Sequence, residues 1–257
     1  MTTGTRLAIL VILLGLLLPI GVTFGEQTPP GPSVVMQSKF ETIAPSAPFD
    51  FIMQVFELEP GARAPVHIHS SAAFLTVLEG EFTHIPIVDG QKMAPETYRA
   101  GDTLVEPAWG IIHEVGNLGA VPMRYLSPRM QPKDAPVTIA LPIESSRPGA
   151  PPQRTVHRAS TEVINISGPV DLYETWLEWP PGARLAAHFH PGVELGIVTE
   201  GELTITKANG TTTVRAGESF VNGVGEIHAT TNATAERASL LTTHLVASGR
   251  PLTFAAE

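Results

Sequence analysis

The feature that most constrains this chain is a repeat. Residues Phe56 to Phe82, FELEPGARAPVHIHSSAAFLTVLEGEF, return 121 positions later as Leu177 to Leu203, LEWPPGARLAAHFHPGVELGIVTEGEL. Eleven of the 27 aligned residues are identical without a gap, including PGAR, both histidines of an H-x-H pair and the closing E-G-E. A second pair of blocks follows. AGDTLVEPAWGIIHEVGN (Ala100 to Asn117) answers AGESFVNGVGEIHATTN (Ala216 to Asn232), with one extra residue in the first between its Gly and His. Agreement of this length at a nearly constant offset marks a duplicated unit. Between the copies, Met130 to Thr155 is Pro-rich and lacks sustained periodicity, so it reads as a linker with one short strand near Val137–Leu141. We therefore place a first domain at 33–130, a Pro-rich linker at 131–154 and a second domain at 155–251. Units of about 100 residues bury little surface alone, so the copies are expected to pack on each other.

Each copy reads as strand. FDFIMQVFEL, FLTVLEGEFTHIPIV, LYETWLEW, ELGIVTEGELTITK and ASLLTTHLV are rich in β-branched, aliphatic and aromatic residues, and P-G, E-G, D-G, N-G and A-G turns bound them. After residue 25 no stretch has the 3.6-residue apolar period of a long helix. The expected class is all-β, as two barrels or sandwiches.

The amino terminus is different. Arg6 precedes an uncharged apolar stretch, Leu7 to Phe24, and the small residues Thr23 and Gly25 could mark cleavage before Glu26. This is the pattern of a signal peptide at 1–25, which implies a secreted or periplasmic protein. The alternative is a membrane anchor formed by 7–24, although 18 residues barely span a bilayer and Gly15, Pro19 and Gly21 weaken a helix there. The chain has no Cys, so lipid attachment, disulfides, thiolate metal sites and a cysteine nucleophile are excluded. Sixteen Lys and Arg stand against 25 Asp and Glu, for a net charge of −9, and no basic stripe occurs. Nucleic acid is therefore not an expected partner. No membrane partner is expected once the signal is removed, whereas a small molecule is, and self-association stays open.

Chemistry then falls to His, carboxylates, hydroxyls and bound ions. In the second copy His188 and His190 are two apart in a strand-like segment, so they share one face of the sheet. Glu194 follows the turn Pro191-Gly192-Val193, and His228 lies 34 residues beyond it. Three imidazoles and a carboxylate gathered inside a small barrel make a site for Fe, Mn, Ni, Cu or Zn rather than Ca or Mg.

At these spacings the chain resembles the cupin superfamily. Its first motif is G, five residues, H-x-H, three or four residues, E, six residues, G, matched by Gly182, His188, His190, Glu194 and Gly201. Its second is matched by Gly217, Gly225, His228 and Asn232, with Gly223 where Pro is usual. The two copies together resemble a bicupin. The resemblance implies a double-stranded β-helix barrel for each half, with a divalent metal on His188, His190, Glu194 and His228.

The first copy matches less fully. Gly61, His67, His69 and Gly80 fit, but Ala73 stands where the carboxylate belongs; Gly101, Pro107, His113 and Asn117 fit the second motif with one inserted residue. Two readings stay open: a weaker metal site on His67, His69 and His113, or a degenerate domain kept for packing. On this basis the second site is expected to bind metal more tightly. His84, with Ile205 as its counterpart, reads as a surface or pocket-wall residue rather than a ligand. His244, where the first copy has Arg129, reads equally as a pocket acid–base group or an outward-facing residue. Arg63 and Arg184 read as partners of carboxylates, and one of Trp176 and Trp179 as core.

The family resemblance implies a metal-dependent oxidoreductase, of dioxygenase or oxidase type, on a small organic acid, enediol or phenolic. Glu194 would then serve as ligand and proton acceptor. A non-catalytic ligand- or metal-binding module and metal-assisted isomerisation are the alternatives. Oxalate chemistry fits less well, because the Arg lies four rather than three residues before H-x-H and Ile68 and Phe189 replace Trp inside it.

Overall fold

The structure is a computed structural model describing residues 29–145 and 147–256. The proposed signal peptide at 1–25, and the anchor alternative at 7–24, lie outside the described residues. Strands dominate, and no helix occurs among the described residues. None is therefore long and apolar enough to cross a membrane.

The strands follow the sequence blocks closely. Phe49–Leu58 is one strand; FLTVLEGEFTHIPIV becomes Ala73–Glu79 and Glu81–Val88, and ELGIVTEGELTITK becomes Val193–Glu200 and Glu202–Lys207. The breaks fall at Gly80 (φ 73°) and Gly201 (φ 71°). A side chain at either would press a Cβ against a carbonyl oxygen, Pro122 O at 2.8 Å or Arg237 O at 2.5 Å, which explains why both copies keep the glycine of E-G-E.

Four antiparallel sheets form two barrels. In the first barrel, a sheet ordered 154–163, 49–58, 123–132, 73–79, 103–106 faces one ordered 138–140, 67–69, 112–116, 81–88, 91–92. In the second, 33–44, 168–179, 238–247, 193–200, 219–222 faces 210–215, 202–207, 228–231, 184–189, 254–255. The linker does contain a short strand, Thr138–Ala140, and it pairs with His67–His69.

The leading strands depart from the sequence-based division. Ser33–Ala44 does not join the first barrel but pairs with Gly168–Trp179 of the second; Arg154–Val163 pairs with Phe49–Leu58 of the first. Each copy thus lends its first strand to the other. Local pattern carries no sign of this, because an outer strand presents the same alternation to either sheet.

The exchanged sheets pack back to back. One core joins Phe40, Phe49, Phe51, Met53, Phe74 and Leu126 to Leu172, Leu195, Ile197, Leu241 and Leu245 across the two barrels. Each of these strands is therefore buried on both faces. In Val193–Glu200, Leu195 and Ile197 point to the shared core, while Glu194 points the other way into its barrel. The expected packing of one copy on the other is present, and it turns the histidines and Glu194 inward.

Candidate metal centres

In the second barrel, four strands bring the donors together. His188 pairs directly with His228, and Glu194 sits between His244 on one neighbouring strand and Asn222 on the other. All are buried. The His188, His190 and His228 ligand atoms lie within 4.8 Å of one another, as do those of His190, Glu194 and His244. Glu194 Oε2 is 3.4 Å from His190 Nε2 and 3.3 Å from His228 Nε2, while Oε1 is 3.4 Å from His244 Nε2. Asn222 Nδ2 donates to Oε2 at 2.6 Å and orients the carboxylate.

The rings suit a metal. His188 Nδ1 lies 2.7 Å from Ala186 O, His190 Nδ1 2.8 Å from Leu252 O, and His228 Nδ1 3.0 Å from Glu226 O. Donation to these carbonyls places the proton on Nδ1 and leaves the Nε2 lone pairs turned toward the carboxylate. Burial brings the pKa of His188 down to about 4, so it is neutral at pH 7. Burial pushes Glu194 up, but His244, His190 and His228 together hold it well below the ordinary carboxylate range. A divalent cation takes neutral imidazoles and an ionised carboxylate. His188 and Glu194 stand in those forms, whereas at His190 burial is outweighed by the Glu194 carboxylate, which raises its pKa, so a metal would displace a proton there.

His244 is thus inward and buried. Burial lowers its pKa against the opposing pull of Glu194. The even choice left by sequence resolves to the pocket, because His244 lies opposite Glu194 in the ladder.

The first barrel corrects the reading of its missing acid. Ala73 indeed holds the position equivalent to Glu194, but Glu106 lies directly opposite it on the next strand, where the second barrel has Asn222. Glu106 Oε2 is 3.0 Å from His69 Nε2, and Oε1 is 3.3 Å from His113 Nε2 and 3.9 Å from His84 Nε2. A carboxylate does serve this cluster, delivered by a neighbouring strand, so the stated ground for a weaker first site falls away. Nor is His84 a surface residue: only 3% of it is exposed, and with Glu106 and His113 it forms a further candidate ligand group. The one sequence signal for Glu106 is its place in V-E-P-A-W, five residues after Gly101; that it faces Ala73 is set by strand register.

Two of the first-barrel rings, His67 and His113, are prepared in the same way, whereas His69 Nδ1 faces both a carbonyl and the Arg129 guanidinium. His67 Nδ1 is 2.6 Å from Pro65 O and His113 Nδ1 2.8 Å from Ile111 O; His69 Nδ1 is 3.2 Å from both Val137 O and Arg129 Nη1. Burial and the neighbouring His113 and His69 lower His67 to about 3. Burial pushes Glu106 up, yet hydrogen bonding from His69 and the charge of His113 hold it at about 2. His113 Nε2, His84 Nε2 and Glu106 Oε1 are buried without hydrogen-bond partners among the described residues. Such orphaned atoms are what a metal ion would satisfy.

Each cluster opens on its own cavity, about 350 Å³ in the first barrel and about 230 Å³ in the second. Leu177, Trp179, Leu185, Leu240 and Leu252 give the second an apolar wall. Neither Arg63 nor Arg184 lines either of these two cavities. Arg63 is buried 3.8 Å from Glu114, as its carboxylate-partner reading expects, whereas Arg184 is exposed. Trp179 is core and cavity wall at once; Trp176 is half-buried and donates to Ser239 Oγ at 2.8 Å.

The cupin domain family matches residues 54–128 and 175–244. The chain belongs to the cupin family. Two matched regions make it a bicupin, and solved structures agree on the fold. An oxalate decarboxylase variant from B. subtilis superposes with a TM-score of 0.55 at 13% identity, covering 82% of this chain and 77% of that one. The Lactobacillus farciminis oxalate decarboxylase formate complex gives 0.54 at 13% identity, covering 86% and 88%. AerE from Microcystis aeruginosa gives 0.52 at 17% identity, covering 84% and 98%. Curated proteins give no match to this sequence. At these identities the likeness establishes the bicupin fold; the chemistry must be read from the sites.

Proposed function

We propose that this bicupin is a metal-dependent oxidoreductase of dioxygenase or oxidase type, with the second barrel as its reaction chamber. The observation that carries the reading is the placement of His188, His190, His228 and Glu194 at the base of a largely apolar cavity. Among a small organic acid, an enediol and a phenolic, the wall of Leu177, Leu185, Leu240 and Trp179 favours the phenolic. A bound divalent transition metal would polarise a substrate oxygen or dioxygen there.

The chain's own groups handle position and protons. The apolar wall excludes water and seats an aromatic ring against the ligands. Glu194, ionised and steered by Asn222, accepts the proton of a substrate hydroxyl at Oε1 or Oε2. His244 Nε2, at 3.4 Å from Oε1, is placed to exchange that proton.

Metal analysis followed by oxygen uptake with a panel of phenolics, enediols and diacids tests the proposal. Uptake with a phenolic, lost in Glu194→Ala and His188→Ala, is expected. Tight ligand binding with no turnover would mark a non-catalytic module, and turnover without oxygen an isomerase. We also propose export by cleavage near Gly25. Mass analysis of the native protein checks this, and an intact amino terminus in the membrane fraction would overturn it.

A further inference from the structure

The first barrel's cavity carries different charges from its twin, and the strand register allows comparison position by position. Arg129 stands where the second barrel has His244, and Arg158 where it has Gln37; Gln54 replaces Thr175 and Tyr125 replaces Leu240. Two arginines therefore line the first cavity, whereas no Lys or Arg lines the second among the described residues. Arg158 arrives on the exchanged strand Arg154–Val163, so strand exchange itself supplies the second charge.

Arg129 is only 3% exposed. Its Nη1 lies 3.2 Å from His69 Nδ1 and donates to Val137 O at 3.3 Å, its Nη2 donates to Ser127 Oγ at 3.3 Å, and its Nε has no acceptor among the described residues. A guanidinium does not lose its proton in a protein, so this donor remains unsatisfied until an acceptor enters. Glu106 is the nearby anion, and it is already shared among His69, His113 and His84. A divalent cation held by Glu106 would leave the buried Arg129 without a counter-charge, with Arg158 at the same cavity wall. The wall beside them is aromatic: the Phe56 and Tyr125 rings stack with centroids 5.0 Å apart. The site thus pairs planar donor forks with a flat apolar surface, which suits an organic acid better than an inorganic anion.

We propose that the first barrel binds a small organic carboxylate, with the carboxylate between Arg129 and Arg158 and the apolar body against Phe56 and Tyr125. This assignment does not rest on the oxidative chemistry of the second barrel.

Calorimetric titration of the whole protein with benzoate, its neutral isostere benzamide and inorganic phosphate is the test. Saturable benzoate binding at one site is expected, with benzamide and phosphate about tenfold weaker or worse. Arg129→Met and Arg158→Gln should each weaken benzoate by about tenfold or more, and Gln37→Ala, at the matching position of the second barrel, should leave it unchanged. Arg158 is exposed, so Arg158→Gln stays folded even if Arg129→Met does not. Absence of saturable benzoate binding, undiminished binding in Arg158→Gln, or tighter binding of phosphate than benzoate would overturn the proposal.

Discussion

Glu106 stands directly opposite Ala73 in the ladder of the first barrel, the rung on which the second barrel sets Asn222 opposite Glu194. The two carboxylates therefore reach equivalent histidine clusters from adjacent strands. Both clusters unite three imidazoles with one acid, so both are expected to hold metal. Glu106→Gln and Glu194→Gln should each lower metal affinity at their own site by at least about tenfold and leave the other site filled. Metal content after dialysis, read by mass spectrometry, checks this. Unchanged content in Glu106→Gln would return the first barrel to a packing role.

The rung also predicts a rescue. Glu106→Asn alone removes the carboxylate, but Ala73→Glu with Glu106→Asn rebuilds the second barrel's arrangement in the first. Ala73 is fully buried, so the added volume fits only where Asn replaces the longer Glu. The double variant should recover metal that the single variant loses. Equal loss in both would show that Arg129, which also pairs with position 73, blocks the exchange.

Much of this was legible in sequence, and the misses share one cause. The strands, the turns at Gly80 and Gly201, and the H-x-H pairs 67/69 and 188/190 follow from patterns local to one strand or hairpin; Glu194, His113 and His228 follow as candidates from motif spacing across longer stretches. Glu106, Asn222, His84 and His244 matter because of what lies across a ladder, and register is a tertiary property. The exchange of Ser33–Ala44 for Arg154–Val163 was hidden for the same reason. Ala73 illustrates the limit: the motif position was read correctly as lacking an acid, yet the acid enters from the facing strand.

Metal should stabilise the fold. A ligand at 100 times its dissociation constant, bound only by the folded state, adds about 2.7 kcal/mol. Chelation should therefore lower the thermal midpoint of the parent, and lower it less in His188→Ala, which has already lost its second-barrel site. Scanning calorimetry with and without chelator makes the comparison; identical midpoints in the parent would remove metal from both barrels.

Glu174 gives the stability a pH dependence. It lies between the barrels, opposite Ser38 and Thr243 in the ladders, only 2% exposed, with neither carboxyl oxygen hydrogen-bonded among the described residues. Burial pushes its pKa well above the ordinary carboxylate value, against a smaller opposite pull from the Thr76 hydroxyl, which itself donates to Ser38 at 3.0 Å. The folded state thus binds the proton more tightly than the unfolded chain. Its contribution is whole below the unfolded value of about 4.3 and falls as pH rises toward the folded pKa. Glu174→Gln keeps the shape without the charge. Denaturant unfolding should find the variant close to the parent at pH 4 and more stable at pH 8. A variant less stable than the parent at pH 8 would mean that the carboxylate is favourably solvated there.

Strand exchange makes the last prediction. Ser33–Ala44 runs alongside Gly168–Trp179 over its whole length, and Phe40 carries its ring to 5.3 Å from Phe74 of the other barrel. Removing such a buried aromatic side chain from its core costs about 3–5 kcal/mol, a large share of a domain's stability. Arg154–Val163 does the same for the first barrel. A cut in the linker after Pro148 leaves each fragment holding a strand that the other needs. Produced separately, each fragment has an unpaired sheet edge and an uncovered half of the shared core, and should aggregate or remain unfolded. Produced together, with an affinity tag on one fragment alone, the two should co-purify as a folded pair that retains metal. Separate fragments that are monomeric, cooperative in unfolding and metal-binding would show that each barrel can close on its own leading strand, and the exchange would then be an option of the chain rather than a condition of its folding.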